Sequence, residues 1–211
     1  MATITPAYSW PVPTSSDLVK DGATAIEALG DAIDASMNTA LGTKKAGMVL
    51  LQSLSFSGVS SQSINDVFSA TYDNYRIIYT PTSNTTTHNA QLRFRVGGSD
   101  ATATNYWYSF QGLTVAAAST NDTGVNQSQI RLGEVSTLPN YCVFILDLIN
   151  PFLTTQTKGL AYNLQIDNSN VLGSKTGGFG NNQGTSYTGF SIVPSSATTF
   201  AGTIRVYGYN N

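Results

Sequence analysis

Only 10% of the 211 residues are charged, against about 25% in an ordinary soluble domain, while Thr, Ser and Asn together supply 67. Neutral hydroxyls and amides therefore keep this surface wet, and a net charge of -2 with a pI near 5.1 offers no cationic field for nucleic acid or an anionic lipid surface. A single cysteine, Cys142, excludes a disulfide framework or thiolate cluster, and a single histidine, His88, excludes zinc sites built on several imidazoles.

Residues 1–20 carry Pro6, Pro11 and Pro13 within eight positions. Proline fixes its own backbone and pushes the preceding residue toward extended geometry. The stretch is expected to be an extended anchoring arm whose Tyr8, Trp10, Pro11 and Pro13 need another surface to cover them. MATITPAYSWPVP has no basic start followed by an apolar stretch, so a secretory signal is not expected.

Residues 21–42 read as the one convincing helix, with Asp21 as N-cap and Gly42 as stop. Ile26, Leu29, Ile33 and Met37 step by three or four and make a narrow apolar stripe flanked by Glu27, Asp31 and Asp34. Such a stripe suits an oligomer seam; an isolated helix of this length is marginal in water. A helix folded back on the rest of the chain is the alternative.

From 43 to 211 the period changes to two, which predicts an antiparallel β-sandwich head of jelly-roll type. Ala90, Leu92, Phe94 and Val96 alternate with polar residues; so do Leu160, Tyr162, Leu164 and Ile166, and Ile204 with Val206. Further strands are expected at 47–56, 74–80, 104–111, 128–133, 141–149 and 187–193. The run from Tyr141 to Ile149 is apolar at both parities apart from Asp147, which implies that both its faces are covered. A neighbouring subunit, as in a homotrimer, or a long loop of the same chain could supply that cover. The glycine-rich segment Gly173–Gly184 lacks the first glycine and the following helix of a phosphate loop, and reads as a flexible connection.

Catalytic chemistry is thin. His88 stands in the polar stretch Thr85-Thr-Thr-His-Asn89, which reads as a loop tip, and Cys142 has no cation near it in sequence. No two carboxylates form a recognisable glycosidase pair, so no catalytic residue, metal or cofactor is assigned. The best binding candidate is Tyr106-Trp107-Tyr108, because alternate residues of a strand face opposite ways and Trp107 cannot share a side with both tyrosines. Aromatic faces beside amides and hydroxyls suit sugar rings, and His88 joins this group as a candidate contact. Core on one side and a subunit interface on the other is the competing reading.

The segment YSWPVPTSSDLVKDGATAIEALGDAID, Tyr8 to Asp34, resembles the N-terminal part of structural proteins of tailed bacteriophages, especially minor tail or fibre proteins. The resemblance implies a virion component whose arm and helix dock on other virion proteins while the head projects. Heads of this kind often recognise host surface glycans, but no binding residue carries over. A capsid decoration protein or head fibre with a purely structural role is the second expectation, and a glycan-cleaving head the third.

Overall fold

The computed structural model describes residues 3–12, 21–41, 47–137, 142–166 and 171–209. Two compact units divide the chain, residues 1–47 and 48–209. Pro13, the remainder of the arm to residue 20, Gly42 and Tyr141 lie outside the described residues.

In the first unit the arm is not simply extended. Strands β1 (Thr3–Ile4) and β2 (Pro11–Val12) pair antiparallel, with Thr3 opposite Val12. Thr5 closes the turn between them: its carbonyl accepts from the Ser9 N–H at 2.9 Å, and its hydroxyl accepts from the Trp10 N–H at 3.0 Å. Tyr8 stacks on Trp10 with ring centroids 5.2 Å apart. Helix α1 (Gly22–Leu41) accepts the Trp10 indole N–H on Ser36 Oγ at 2.8 Å. Trp10, expected to need either the chain's own domain or a partner protein as cover, is held within the chain by this turn and one side-chain hydrogen bond. Tyr8 remains 65% exposed.

The expected stripe on α1 splits. Leu29 and Ile33 are half-buried, on the same flank as Ala25, Ala32 and Ser36, whereas Ile26 and Met37 stand 66% and 53% exposed.

The second unit is a mainly antiparallel β-sandwich. Its larger sheet runs in the order β3 (Met48–Val59), β15 (Phe200–Tyr209), β5 (Asn74–Asn84), β11 (Val143–Ile149), β12 (Thr157–Ile166), β13 (Leu172–Asn181), β8 (Tyr106–Thr114) and β9 (Asp122–Gln127). The smaller sheet runs β10 (Ile130–Val135), β6 (His88–Val96), β14 (Gly189–Pro194) and β4 (Gln62–Ile64), with β7 (Ser99–Asp100) also paired to β6. Inward residues interlock as aromatic pairs: Phe94 lies between Tyr187 and Tyr106, at 4.9 and 5.8 Å, and Phe68 packs on Tyr75 and Phe190. Cys142 is buried beside this core, and burial pushes its thiol pKa up.

The segment expected to be a flexible connection is β13, an interior strand of the larger sheet. Its glycines allow close approach of its neighbours. A Cβ on Gly177 would sit 2.7 Å from the Phe110 Cα and closer still to the Ser109 carbonyl. Glycine carries no β propensity of its own, so ladders on both sides, rather than local preference, make this stretch a strand.

Two strands present their faces unexpectedly. In β11 only Phe144, Leu146 and Leu148 are buried; Val143, Ile145 and Asp147 are partly exposed and Ile149 is 44% exposed. In β12 the inward residues Thr157, Gly159, Ala161, Asn163 and Gln165 are buried, as is Ile166 at its end, while Leu160, Tyr162 and Leu164 face out at 49%, 49% and 39% exposure. The inversion has a chemical cause. Asn163 donates to the Leu132 carbonyl at 2.6 Å and accepts from the Lys175 N–H at 3.0 Å; Gln165 accepts from the Glu134 N–H at 3.0 Å. Amides thus tie β12 to β10 across the layers, and the apolar set of β12 is left outside. The outer face of β11, for which a neighbouring subunit or a long loop of the same chain is the expected cover, is half-buried at Val143, Ile145 and Asp147.

Candidate functional site

The three consecutive aromatics of β8 divide by parity. Tyr106 is fully buried, Tyr108 turns inward and stacks on Phe110 at 5.9 Å, and Trp107 faces outward at 49% exposure. Tyr106 is therefore no glycan contact. Its hydroxyl accepts from the Phe94 N–H at 3.0 Å and donates to the Ala101 carbonyl at 2.8 Å, entering the ladder of the opposite sheet beside β7. Burial raises its phenol pKa, so it stays a neutral donor.

His88 is corrected as well. It opens β6 opposite Val135, is 4% exposed and lies 5.9 Å from the Phe200 ring. Its Nδ1 donates to the Thr86 carbonyl at 3.1 Å, and burial lowers its pKa, so the ring is held neutral inside the sandwich. A polar neighbourhood in sequence suggested a loop tip; pairing with β10 overrides it.

Trp107 flanks an open concavity of about 550 Å³ on the outer face of the larger sheet. Gly178 and Gly180 of β13 form its floor, Lys158 of β12 and Ser109 of β8 flank it, and Gln156 and Asn182 close one end. The Asn126 side-chain oxygen accepts from the indole N–H at 3.3 Å, and Asn126 itself takes a positive φ of 55° where β9 bulges against β8. The ring is thus held at its edge while its face stays available. This arrangement, an aromatic face over small residues with amides and hydroxyls at the rim, can stack on an apolar ring face and hydrogen-bond its substituents.

Three carboxylates of the second unit are matched by cations. Arg76 binds Asp147 through two N–H donors at 2.8 and 2.7 Å, and the Tyr209 hydroxyl donates to the same carboxylate at 2.7 Å. Burial alone would raise the Asp147 pKa, but these donors outweigh it and hold it below the usual carboxylate value. Asp122 faces Arg131 and Lys175, and Asp100 faces Arg93 and Arg95. Among the described residues no cluster of His, Cys, Asp and Glu could hold a metal ion, and no helix is long and apolar enough to cross a membrane.

No protein-family profile matches the sequence, and no curated protein is similar to it. One solved structure with some likeness is a variant fructofuranosidase from Schwanniomyces occidentalis in complex with fructosylnystose. Identity is 6% and the TM-score 0.24, over 78% of this chain and 34% of that chain. This chain therefore spans about a third of that enzyme, and a likeness so slight carries no argument about either protein.

Proposed function

We propose that this is a virion protein of a tailed bacteriophage, a tail or fibre component held to other virion proteins by its N-terminal unit and assembled as a homotrimer. Its β-sandwich head binds a host surface glycan. The observation that carries the binding role is Trp107, an exposed indole held at its edge above a glycine floor and bordered by amides and hydroxyls. Ile4, Tyr8, Ile26 and Met37 are the large exposed apolar groups among the described residues of the N-terminal unit, available to a virion partner or to neighbouring copies of the helix.

Glycan-array binding by the full chain tests the reading. The expected result is binding to polysaccharide of the host envelope that disappears in Trp107→Ala without loss of folded protein. Failure to bind any host glycan would overturn it. The second reading, a capsid decoration protein or head fibre with a structural role, is favoured by the outward Leu160, Tyr162 and Leu164, which a neighbouring subunit could cover.

A further inference from the structure

Gly178 has no structural reason to be glycine. Its φ is not positive, and a Cβ there would meet only the Gly159 carbonyl oxygen, at an ordinary 3.9 Å. An interior strand normally gains from a side chain at such a position, and a glycine without a packing reason marks a close approach by something else.

The rows across the outer face show what is left open. Lys158, Gly180 and Trp107 stand side by side, followed by Leu160, Gly178 and Ser109, then Tyr162, Thr176 and Gln111, then Leu164, Ser174 and Leu113. Every row places a small residue of β13 between two flanking strands. Three concavities accordingly follow one another along β13, with volumes of about 550, 690 and 240 Å³. The second and third share Leu113 and Ser174. From Gly180 to Ser174 the floor covers six strand steps, about 20 Å at roughly 3.3 Å per residue.

The chemistry of the walls selects the occupant. Ser109, Gln111, Ser174 and Thr176 have no side-chain hydrogen-bond partner among the described residues, and an apolar partner laid over them would cost their hydration without replacement. Hydroxyl groups of sugars replace it, and the Leu160, Tyr162 and Leu164 wall suits the C–H faces of the rings. Lys158 is the cation at the Trp107 end, and among the described residues no carboxylate pairs with it. Asp147, an outward acid on the neighbouring strand β11, is already bound by Arg76 and Tyr209.

We infer that the trough along β13 takes an extended, linear oligosaccharide, with a carboxylate-bearing sugar seated between Lys158 and Trp107. This occupant presupposes that the head binds glycans at all. The full chain is titrated with polygalacturonate, alginate and polysialate, and with methyl-esterified polygalacturonate and dextran as neutral chains, at low and high salt. Binding to an acidic chain is expected to strengthen with fragment length. Gly178→Leu, which places a side chain in the trough, should weaken it about tenfold or more. Lys158→Gln should weaken it about two- to fivefold and remove most of the salt dependence, as for an exposed ion pair.

Binding only to neutral chains or to other host glycans would overturn the inference and leave the glycan reading standing. Equal affinity for a monosaccharide and a long fragment, or unchanged binding by Gly178→Leu, would also overturn it. No glycan binding of any kind would overturn both. Sedimentation of Gly178→Leu separates the remaining occupant: a smaller assembly would assign the trough to a second copy of the chain. Thermal unfolding of each variant establishes that the fold is kept.

Discussion

Tyr106→Phe tests the division of roles within β8 most directly. The substitution removes one oxygen and leaves the ring in its place against Phe94. That oxygen accepts from a buried backbone N–H and donates to the partly exposed Ala101 carbonyl. Water can reach the carbonyl, but the Phe94 N–H is left without a partner inside the sandwich. A buried donor without an acceptor costs about 1–3 kcal/mol. For a domain of this size each kcal/mol moves the midpoint by about 2–4 °C, so Tm should fall by roughly 2–12 °C. Differential scanning calorimetry reads this shift, and urea unfolding should show a lower midpoint with the slope unchanged. Trp107→Ala, one residue along, should cost about 1 kcal/mol or less, because the indole is half in solvent. A Tyr106→Phe midpoint equal to that of the parent, or a larger loss in Trp107→Ala, would refute the assignment of Tyr106 to the ladder and Trp107 to the surface.

The interior strand β13 gives a paired expectation. Gly177→Ala should destabilise by about 1–3 kcal/mol in urea unfolding, because its Cβ meets the backbone of β8, while Gly178→Ala should be neutral or slightly stabilising. Protonation gives another. Since burial lowers the His88 pKa, the unfolded chain binds the extra proton first, and stability should decline as pH falls below about 6.5, levelling off below the folded-state value. His88→Gln should remove that component of the pH profile in denaturant titrations. Asp147 acts lower on the pH scale: its depressed pKa stabilises above the unfolded carboxylate value, and this is lost as pH falls through the folded value. Finally, Ile26→Asp and Met37→Asp should each reduce the sedimenting mass of the full chain; an unchanged mass would remove α1 as an oligomer seam.

Strands whose alternation matches burial were legible from residues alone. Leu92 and Phe94 face inward as their period indicates, as do Ile204 and Val206. Strand β12 shows where period suffices for the element but not for its orientation. The pattern is equally satisfied by either face, and the amide bonds of Asn163 and Gln165 to β10 decide the matter through partners some thirty residues away. Strand β13 was hidden because glycine carries no side-chain pattern; its ladders are non-local. The arm concealed a hairpin for a related reason, since Thr5 and Ser36 hold it through side-chain hydrogen bonds that prolines in sequence do not announce. Of the candidate site, parity among three aromatics set Trp107 apart from both tyrosines and left open which side faces outward. The burial of Tyr106 and His88 was not legible. Tertiary packing brings the Phe94 N–H and the Ala101 carbonyl to the Tyr106 hydroxyl. Pairing with β10 and the Phe200 ring bury His88, whose own acceptor, the Thr86 carbonyl, is only two residues away. Gln156, Lys158, Gly178 and Asn182, which complete the concavity, carry no local signature at all.

The sealed thiol of Cys142 has a consequence for where the chain can work. The protein carries one sulfur capable of cross-linking, 2% exposed and with its pKa raised by desolvation, so the reactive thiolate is both scarce and out of reach. Synthesis in a reducing compartment and service in air-saturated medium would leave the covalent structure the same. No oxidative maturation step is then required between the two, and no mild oxidant should staple one copy to another.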